Sequence, residues 1–416
     1  MIASSNYPES RVETLNIAHY DCIVIGGGAA GLMCAAAAGA RGRSVLVIES
    51  SNKVGKKILM SGGGRCNFTN YAVEPENYLC ANKHFCKSAL SRYTQWDFIA
   101  LVERHAVAYH EKTLGQLFCD NKSKDILQML LAECDAVGVQ IVTDETVSEI
   151  ISDTHGTSRF QLGSSNAKYR CQSLVIATGG LSIPTLGASG YGYDIAKQFA
   201  LKVTAKHASL VPFTFKGELL KTMQSLAGVA LPVNIAFGDA AFKEALLFTH
   251  KGLSGPAALQ ASNYWWPGED ITIDFLPDLE VEDVINEWQN QKEKAMVRTL
   301  LSQILPKRFV SAWLGQTSVG EAILNKTPRQ ISNGDFAFLN KMLKAWSAIP
   351  AGTEGYGTAE VTRGGVNTDE VSSKTFESKK VEGLYFVGEV LDVTGWLGGY
   401  NFQWAWASGH CAAQYV

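Results

Sequence analysis

The first apolar run of the chain, Tyr20 to Ile25 (YDCIVI), is short and β-branched, the pattern of a strand covered on both faces of a parallel sheet. It runs straight into Gly26-Gly27-Gly28-Ala29-Ala30-Gly31 and then into LMCAAAAGARG, whose alanines predict a helix. A second buried strand, Ser44 to Ile48 (SVLVI), comes next and ends in the acidic Glu49. Two more apolar runs of the same kind break into small residues: Ser173 to Ile176 before Ala177-Thr178-Gly179-Gly180, and Leu384 to Val387 before Gly388-Glu389. Helical spacing marks Lys83 to His105 and Ser123 to Val137, with a polar, turn-rich connection between them, and Val139 to Val142, Thr146 to Ile151 and Phe160 to Leu162 read as short strands.

From about residue 206 the texture changes. Pro212, Pro232, Pro256, Pro267 and Pro277 punctuate short strands such as VNIAF and ITIDF, as in a small antiparallel unit. Residues 280–346 return to helical periodicity with charged faces, and the first texture resumes at about 352. The expected fold class is α/β. A Rossmann-like dinucleotide domain spans 20–205 and 352–416 after a polar extension at 1–19. The insert at 206–351 is β-barrel-like over 206–279 and helical over 280–346.

Composition narrows the reading. A length of 416 residues suggests two or three domains, and 46% apolar against 19% charged residues is an ordinary globular balance. The formal net charge of -3 argues against a broad nucleic-acid or anionic-membrane footprint, so the expected partner is a small-molecule substrate, with no nucleic acid and no membrane. Oligomeric state is not readable. Nine scattered cysteines without a C-x-x-C pair fit neither a disulfide framework nor a zinc site, and no metal is expected. The polar first nineteen residues do not look like a signal peptide, no apolar run approaches a membrane span, and the expected location is cytoplasmic.

The first strand, turn and helix carry the chemistry. In G-x-G-x-x-G, Gly26 permits a tight turn, Gly28 lets the backbone approach a pyrophosphate, and Gly31 lets the helix pack against the strand. The helix N-terminus then presents free N–H groups to the phosphates. Glu49, 18 residues past Gly31, sits where a carboxylate accepts hydrogen bonds from a ribose. Three further segments suit a larger dinucleotide than NAD alone. These are the glycine run of Lys56 to Asn67 (KKILMSGGGRCN), the Ala177 turn and the Gly388 turn.

The blocks KKILMSGGGRCNFTN, LFTHKGLSGPAAL, AEVTRGGV and GEVLDVTGWLGGYNFQWAWASG resemble the bacterial HI0933/YhiN (BaiN-like) family of flavoproteins from about residue 20 onward. The resemblance implies FAD on a two-dinucleotide-type fold, with reduction of steroid-like enones and oxidation of aminoacetone among the group's activities. It implies pyrophosphate at Gly26, Gly28, Ala29, Ala30 and Gly31, ribose at Glu49, and adenine against the backbone of Val147. Lys57 and the loop Ser61, Gly62, Gly63, Gly64, Arg65, Cys66 and Asn67 would lie near the flavin half. Ala177, Thr178 and Gly179 would line the next turn, with Gly388 and Glu389 at the ribityl-pyrophosphate region. Gly398, Gly399, Tyr400 and Asn401 would open the last helix toward the pyrimidine edge, where a positive dipole end favours reduced flavin.

The flavin does the electron chemistry, so few protein groups need to react. His250 in FTHKGLSGP is the candidate proton donor; the alternative is a histidine that satisfies carbonyls at a domain junction. Cys66 beside Arg65 is read as structural, since no second cysteine lies near to resolve a disulfide. Lys53, Lys56, Lys57 and Arg65 read as a phosphate-binding cluster. Trp396, Trp404 and Trp406 are candidates either to border a flat apolar substrate or to be core, and Trp404 and Trp406 cannot both face a pocket from one helix. The expected function is an FAD-dependent oxidoreductase, reduced by NAD(P)H or an oxidisable substrate and reoxidised by an enone-like acceptor or oxygen. Rival readings are an amine oxidase, an RNA-associated flavoprotein and a non-catalytic flavin binder. With no second G-x-G-x-x-G unit, any nicotinamide would bind transiently.

Overall fold

A computed structural model describes residues 17–152, 158–237 and 240–416. The expected extension therefore lies outside the described residues as far as position 16, and the first strand, Ala18–Ile25, begins two residues before Tyr20. That strand sits in the middle of a parallel core. It pairs with Val45–Ile48 on one side and Lys168–Ile176 on the other; Gln140–Val142 extends one edge, and Leu384–Phe386 adds to Lys168–Ile176. Phe160–Ser164 and Val147–Ser152 continue the sheet antiparallel.

Register sets where the strands stop. Ile25 lies opposite both Ile48 and Ile176, and Ile176 opposite Phe386, so four parallel strands end at one level. All four residues are buried, as expected of β-branched and aromatic side chains between two covering layers. Helix Ala29–Gly39 covers one face and is itself packed against the terminal helix Tyr400–Ala412. The contact between the helices is close because glycine makes it so: a Cβ on Gly409 would lie 2.4 Å from the Ala30 carbonyl oxygen.

Helical periodicity at 83–105 resolves into two helices, Lys87–Arg92 and Gln95–Arg104, the second capped by Thr94 accepting from the Asp97 N–H. The connection after them is not the polar loop expected from its composition. It holds strands Tyr109–Glu111 and Gln116–Cys119, which pair with each other and with Asn67–Asn70, burying Leu117, Phe118 and Cys119 behind the glycine run. Three- and four-residue strands are too short for alternation to announce them.

A second, separate apolar core lies under a seven-stranded antiparallel sheet, ordered 346–348, 271–274, 230–237, 240–248, 252–254, 213–214 and 352–353. Its centre is aromatic: Phe248, Phe275, Phe309, Trp313 and Trp346 pack with ring centroids 4.9 to 6.4 Å apart, distances at which quadrupoles favour tilted and edge contacts. Two chain segments join the cores. His207–Ser209 and Val361–Arg363 run antiparallel as a two-stranded ribbon.

Glycine at the helix contact is a packing requirement, which sets up a comparison. Gly409→Ala forces two backbones apart and is expected to cost about 1–3 kcal/mol. Gly334→Ala, where a Cβ meets only Ser332 Oγ at 3.8 Å, is expected to be neutral or stabilising by up to about 1 kcal/mol. Thermal unfolding of the two variants beside the parent measures both.

Candidate functional site

The level ends of the four parallel strands form the floor of a cavity of about 680 Å³. Crevices at the carboxyl ends of such strands are where open α/β sheets bind dinucleotides. Each strand delivers one part of the wall: Ile25 leads to Gly26 and Gly28, Ile48 to Glu49, Ile176 to Ala177 and Thr178, and Phe386 to Val387 and Glu389.

The first turn is shaped for a phosphate. Gly26 has φ 110°, and Gly31 approaches it so closely that a Cβ there would fall 2.0 Å from the Gly26 carbonyl oxygen. A Cβ on Gly28 would meet nothing within 4 Å except the open cavity. The helix Ala29–Gly39 starts here, and its first N–H groups have no intrahelical acceptor. Glu49 is fixed beside the turn: Oε2 accepts from the Gly27 N–H at 2.9 Å, and Oε1 accepts from the Ser51 N–H at 2.8 Å and hydroxyl at 2.6 Å. A carboxylate has about four lone-pair sites, so capacity remains for ribose hydroxyls. Thr178 lines the wall in the turn after Ile176. Cavity size, open glycine and N–H groups together fit FAD.

Farther along, Lys57 Nζ reaches Glu389 Oε2 at 2.9 Å and Ser182 Oγ at 2.6 Å, and Glu389 Oε1 accepts from the Thr362 N–H at 2.9 Å. This ion pair is partly exposed on the cavity wall and ties the Lys56–Met60 helix to two chain segments more than a hundred residues away. Ser61, Gly62, Gly63 and Asn67 form one end of the wall; Gly398, Gly399 and Asn401 form the facing element, the start of the terminal helix. Gly62 and Gly63 adopt φ 57° and 65°, which glycine alone holds cheaply in succession. Val147, Gly179 and Lys53 and Lys56 of the basic cluster also line the cavity.

Trp396, which the sequence offers as a border for a flat apolar substrate, lines the wall with Leu397: the Leu397 N–H donates to Gln260 Oε1 at 2.9 Å, and Trp396 Nε1 donates to the Tyr264 hydroxyl at 2.8 Å. Sequence reasoning missed Leu397 and other parts of this wall. Gln116, Phe118 and Leu210 also line it, from segments without any recognisable motif, and so does Glu360, inside the AEVTRGGV block.

Other expected residues stand elsewhere. Gly31 packs under Gly26, and Gly388 donates its N–H to Ser408 Oγ behind the wall. Gly64 and Arg65 turn away from the cavity, as the Ser123 N–H bonds the Gly64 carbonyl and the Cys119 N–H that of Arg65. Cys66 is wholly buried, and burial pushes its thiol well above the ordinary range, so it is no thiolate. Tyr400 is buried edge-on against Tyr78, its carbonyl accepting from the Tyr78 hydroxyl. His250 is exposed in the turn after strand Ala240–Phe248 and does not line the cavity, which leaves the expected proton donor away from the site. Of the two tryptophans two positions apart, Trp404 reaches the wall and Trp406 is buried against Phe98.

A Rossmann-like sheet with this cavity at its switch defines an FAD-dependent oxidoreductase. The family model described as "HI0933-like protein Rossmann domain" matches residues 20–415, and the chain belongs to that family. It is 53% identical, over 95% of its length and 97% of the relative's, to a protein of Escherichia coli (strain K12) named ribosomal RNA dihydrouridine synthase. It is 28% identical, over 94% of its length and 97% of the relative's, to the 3-dehydro-bile acid delta(4,6)-reductase of Clostridium scindens. A 3-ketosteroid-delta4-(5alpha)-dehydrogenase from Rhodococcus jostii RHA1 shares the fold at a TM-score of 0.50 and 12% identity, covering 97% of this chain and 98% of that one.

The relatives correct one expectation. A net charge of -3 argues against a nucleic-acid partner, yet the 53% identical relative is named for action on ribosomal RNA. Net charge averages over the whole surface, whereas electrostatic attraction acts through local potential. Among the described residues no helix is long and apolar enough to cross a membrane.

Removing the Glu49 carboxylate strands the Gly27 N–H and Ser51 and deletes acceptors for a ribose. Glu49→Ala is expected to weaken FAD binding about 10- to 100-fold, on the scale of one or two hydrogen bonds to a charged group. Quenching of flavin fluorescence on titration into the flavin-stripped protein measures it.

Proposed function

We propose that this protein is an FAD-dependent reductase of uridine in ribosomal RNA, converting it to dihydrouridine with electrons that enter from NAD(P)H. The single observation that carries the reading is the 53% identity, running nearly end to end, with a relative of that name. The chemistry supports it from a second direction. In uracil the C5–C6 double bond is conjugated to the C4 carbonyl, which makes it an enone-like acceptor. The name of the 28% identical relative describes the same operation on a steroid-like ring. Such a substrate is met in the cytoplasm.

Bound FAD would supply hydride transfer between the nicotinamide and the ring. Gly26, Gly28, Ala29 and Ala30 would hold its pyrophosphate, Glu49 its ribose, Val147 its adenine, and Ser61 to Gly63 with Gly398 to Asn401 its flavin half. The remaining tasks fall to side chains on the wall. Lys57 and Glu389 neutralise each other, so neither leaves an unpaired charge to desolvate when the cavity fills. Lys53, exposed, and Lys56, half-buried, present positive charge for RNA phosphates. Trp396 and Leu397 exclude water from the acceptor.

The alternative acceptor is a free planar enone, which the bile-acid relative favours. Anaerobic titration of the yellow protein with NADH and NADPH is expected to bleach the flavin band. Adding unmodified transcripts of the large ribosomal RNAs is then expected to restore the band and yield dihydrouridine by nucleoside mass spectrometry. Restored absorbance with a 3-oxo-4-ene steroid and none with RNA would reverse the assignment.

A further inference from the structure

We propose that Glu360 is the catalytic acid of this site, its carboxyl group giving the proton that completes saturation of the acceptor's double bond. The inference rests on the reductase reading above and names the residue that its second half-reaction requires.

Position comes first. Glu360 immediately precedes the ribbon strand Val361–Arg363, on the wall between the two cores, and lines the same cavity as Trp396 to Gly399. Its N–H donates to the Leu210 carbonyl at 3.2 Å, and Leu210 lines the cavity beside it. Two residues on, the Thr362 N–H is held by Glu389. The backbone that carries Glu360 is thus anchored on both sides of the side chain.

The carboxyl itself is uncommitted. Among the described residues no hydrogen bond or ion pair engages it, although it faces the open cavity. The other acids of the wall are spoken for. Glu49 holds Gly27 and Ser51, Glu145 accepts from Ser164 and Tyr169, and Glu389 pairs with Lys57. The Glu360 side chain is open to solvent in the cavity, but the protein groups gathered around it desolvate its charge and raise its pKa, to about 7, so part of the population carries the proton at neutral pH. Its rivals are poorly placed. No cysteine lines the cavity, and the Tyr191 hydroxyl on the wall is pushed by burial up to about 12.

The electrons and protons of the step balance. In an enone the carbon distal to the carbonyl accepts hydride, so C6 of uracil gains a hydrogen and two electrons from the flavin, previously reduced by a nicotinamide dinucleotide. The double-bond pair moves toward C5 and the C4 carbonyl. C5 then takes the proton from the Glu360 O–H, leaving a carboxylate that water reprotonates.

A raised acid fixes the sign of the pH dependence. The donor form exists below the folded pKa and is lost above it, so the rate falls through about pH 7, by about tenfold per unit where the carboxylate form is inactive. The other charged groups on the cavity wall are Lys53, Lys56, Lys57, Glu49, Glu145 and Glu389.

The test reduces the flavin-loaded protein with dithionite, so that only the second half-reaction is read, and mixes it anaerobically with transcribed ribosomal RNA across pH 5 to 9. Glu360→Gln is expected to slow dihydrouridine formation by about 10²- to 10⁴-fold and to abolish the falling limb, while Glu360→Asp recovers part of the rate. Infrared difference spectra of the oxidised protein give an independent readout: a protonated-carboxyl band titrating near pH 7, absent from Glu360→Gln. A Glu360→Gln protein with the parent's rate and pH profile overturns the proposal and leaves the reductase reading intact, as does an unchanged infrared titration. A parent protein that forms no dihydrouridine overturns both.

Discussion

The site depends on one close approach of backbones. Four strands must end level, and the first must turn at once into a helix whose N-terminus faces the opening. Gly26 and Gly31 allow the turn and helix to touch, and Gly409 allows the terminal helix to press on the same turn from behind. Protein interiors are packed as densely as organic crystals, so a single added methyl at such a contact shifts backbone as well as side chain. The cavity is therefore a consequence of the packing: its floor cannot move without disturbing two helices and the central strand.

The opposite wall has a different origin. Its residues, Trp396, Leu397, Leu210 and Glu360, are braced from behind by segments packed on the second core, and that bracing is largely polar. Gln260, nearly fully buried, bonds the Leu397 backbone through its carbonyl oxygen, Asn263 reaches the Gly395 carbonyl, and Arg363 donates to the Asn263 carbonyl while its guanidinium lies 4.4 Å from the Trp266 ring centre. Buried polar groups are costly when unpaired. A slip between the cores would leave several unsatisfied together, so the hydrogen bonds specify one relative placement where apolar contact alone would tolerate many. Trp396 and Glu360 owe their positions on the wall to this arrangement.

Legibility in the sequence tracks the length scale of each feature. Parallel strands buried on both faces announce themselves as β-branched runs, and the glycine turn after Ile25 is readable because each glycine answers a separate steric demand. The level ending of the strands then brings together residues that lie far apart in the chain, such as Glu49, Thr178 and Glu389. What escapes is short or unpatterned. Tyr109–Glu111 and Gln116–Cys119 are strands only because Asn67–Asn70 offers a partner, a contact that local periodicity cannot see. Glu360 sits in the AEVTRGGV block, whose resemblance to the flavoprotein family gives this carboxylate no role; its significance is wholly a matter of which wall it reaches. His250, in another such block, is exposed and away from the cavity. Conspicuous sequence and chemical position are different properties.

Electrostatics give the cavity a division of labour. Glu49 already accepts from two backbone N–H groups and a hydroxyl, and Glu389 is held by an ammonium group and an N–H. Both carboxylates are committed to partners before anything binds. Glu360 has no such partner, and its side chain is open to solvent in the cavity. A planar ligand that fills the cavity removes that solvation without offering a counter-charge. Desolvation then raises the carboxyl's proton affinity further, so occupancy of the site itself favours the protonated form. An acid coupled in this way is charged with its proton by the arrival of the molecule that consumes it, and needs no second group to set its state.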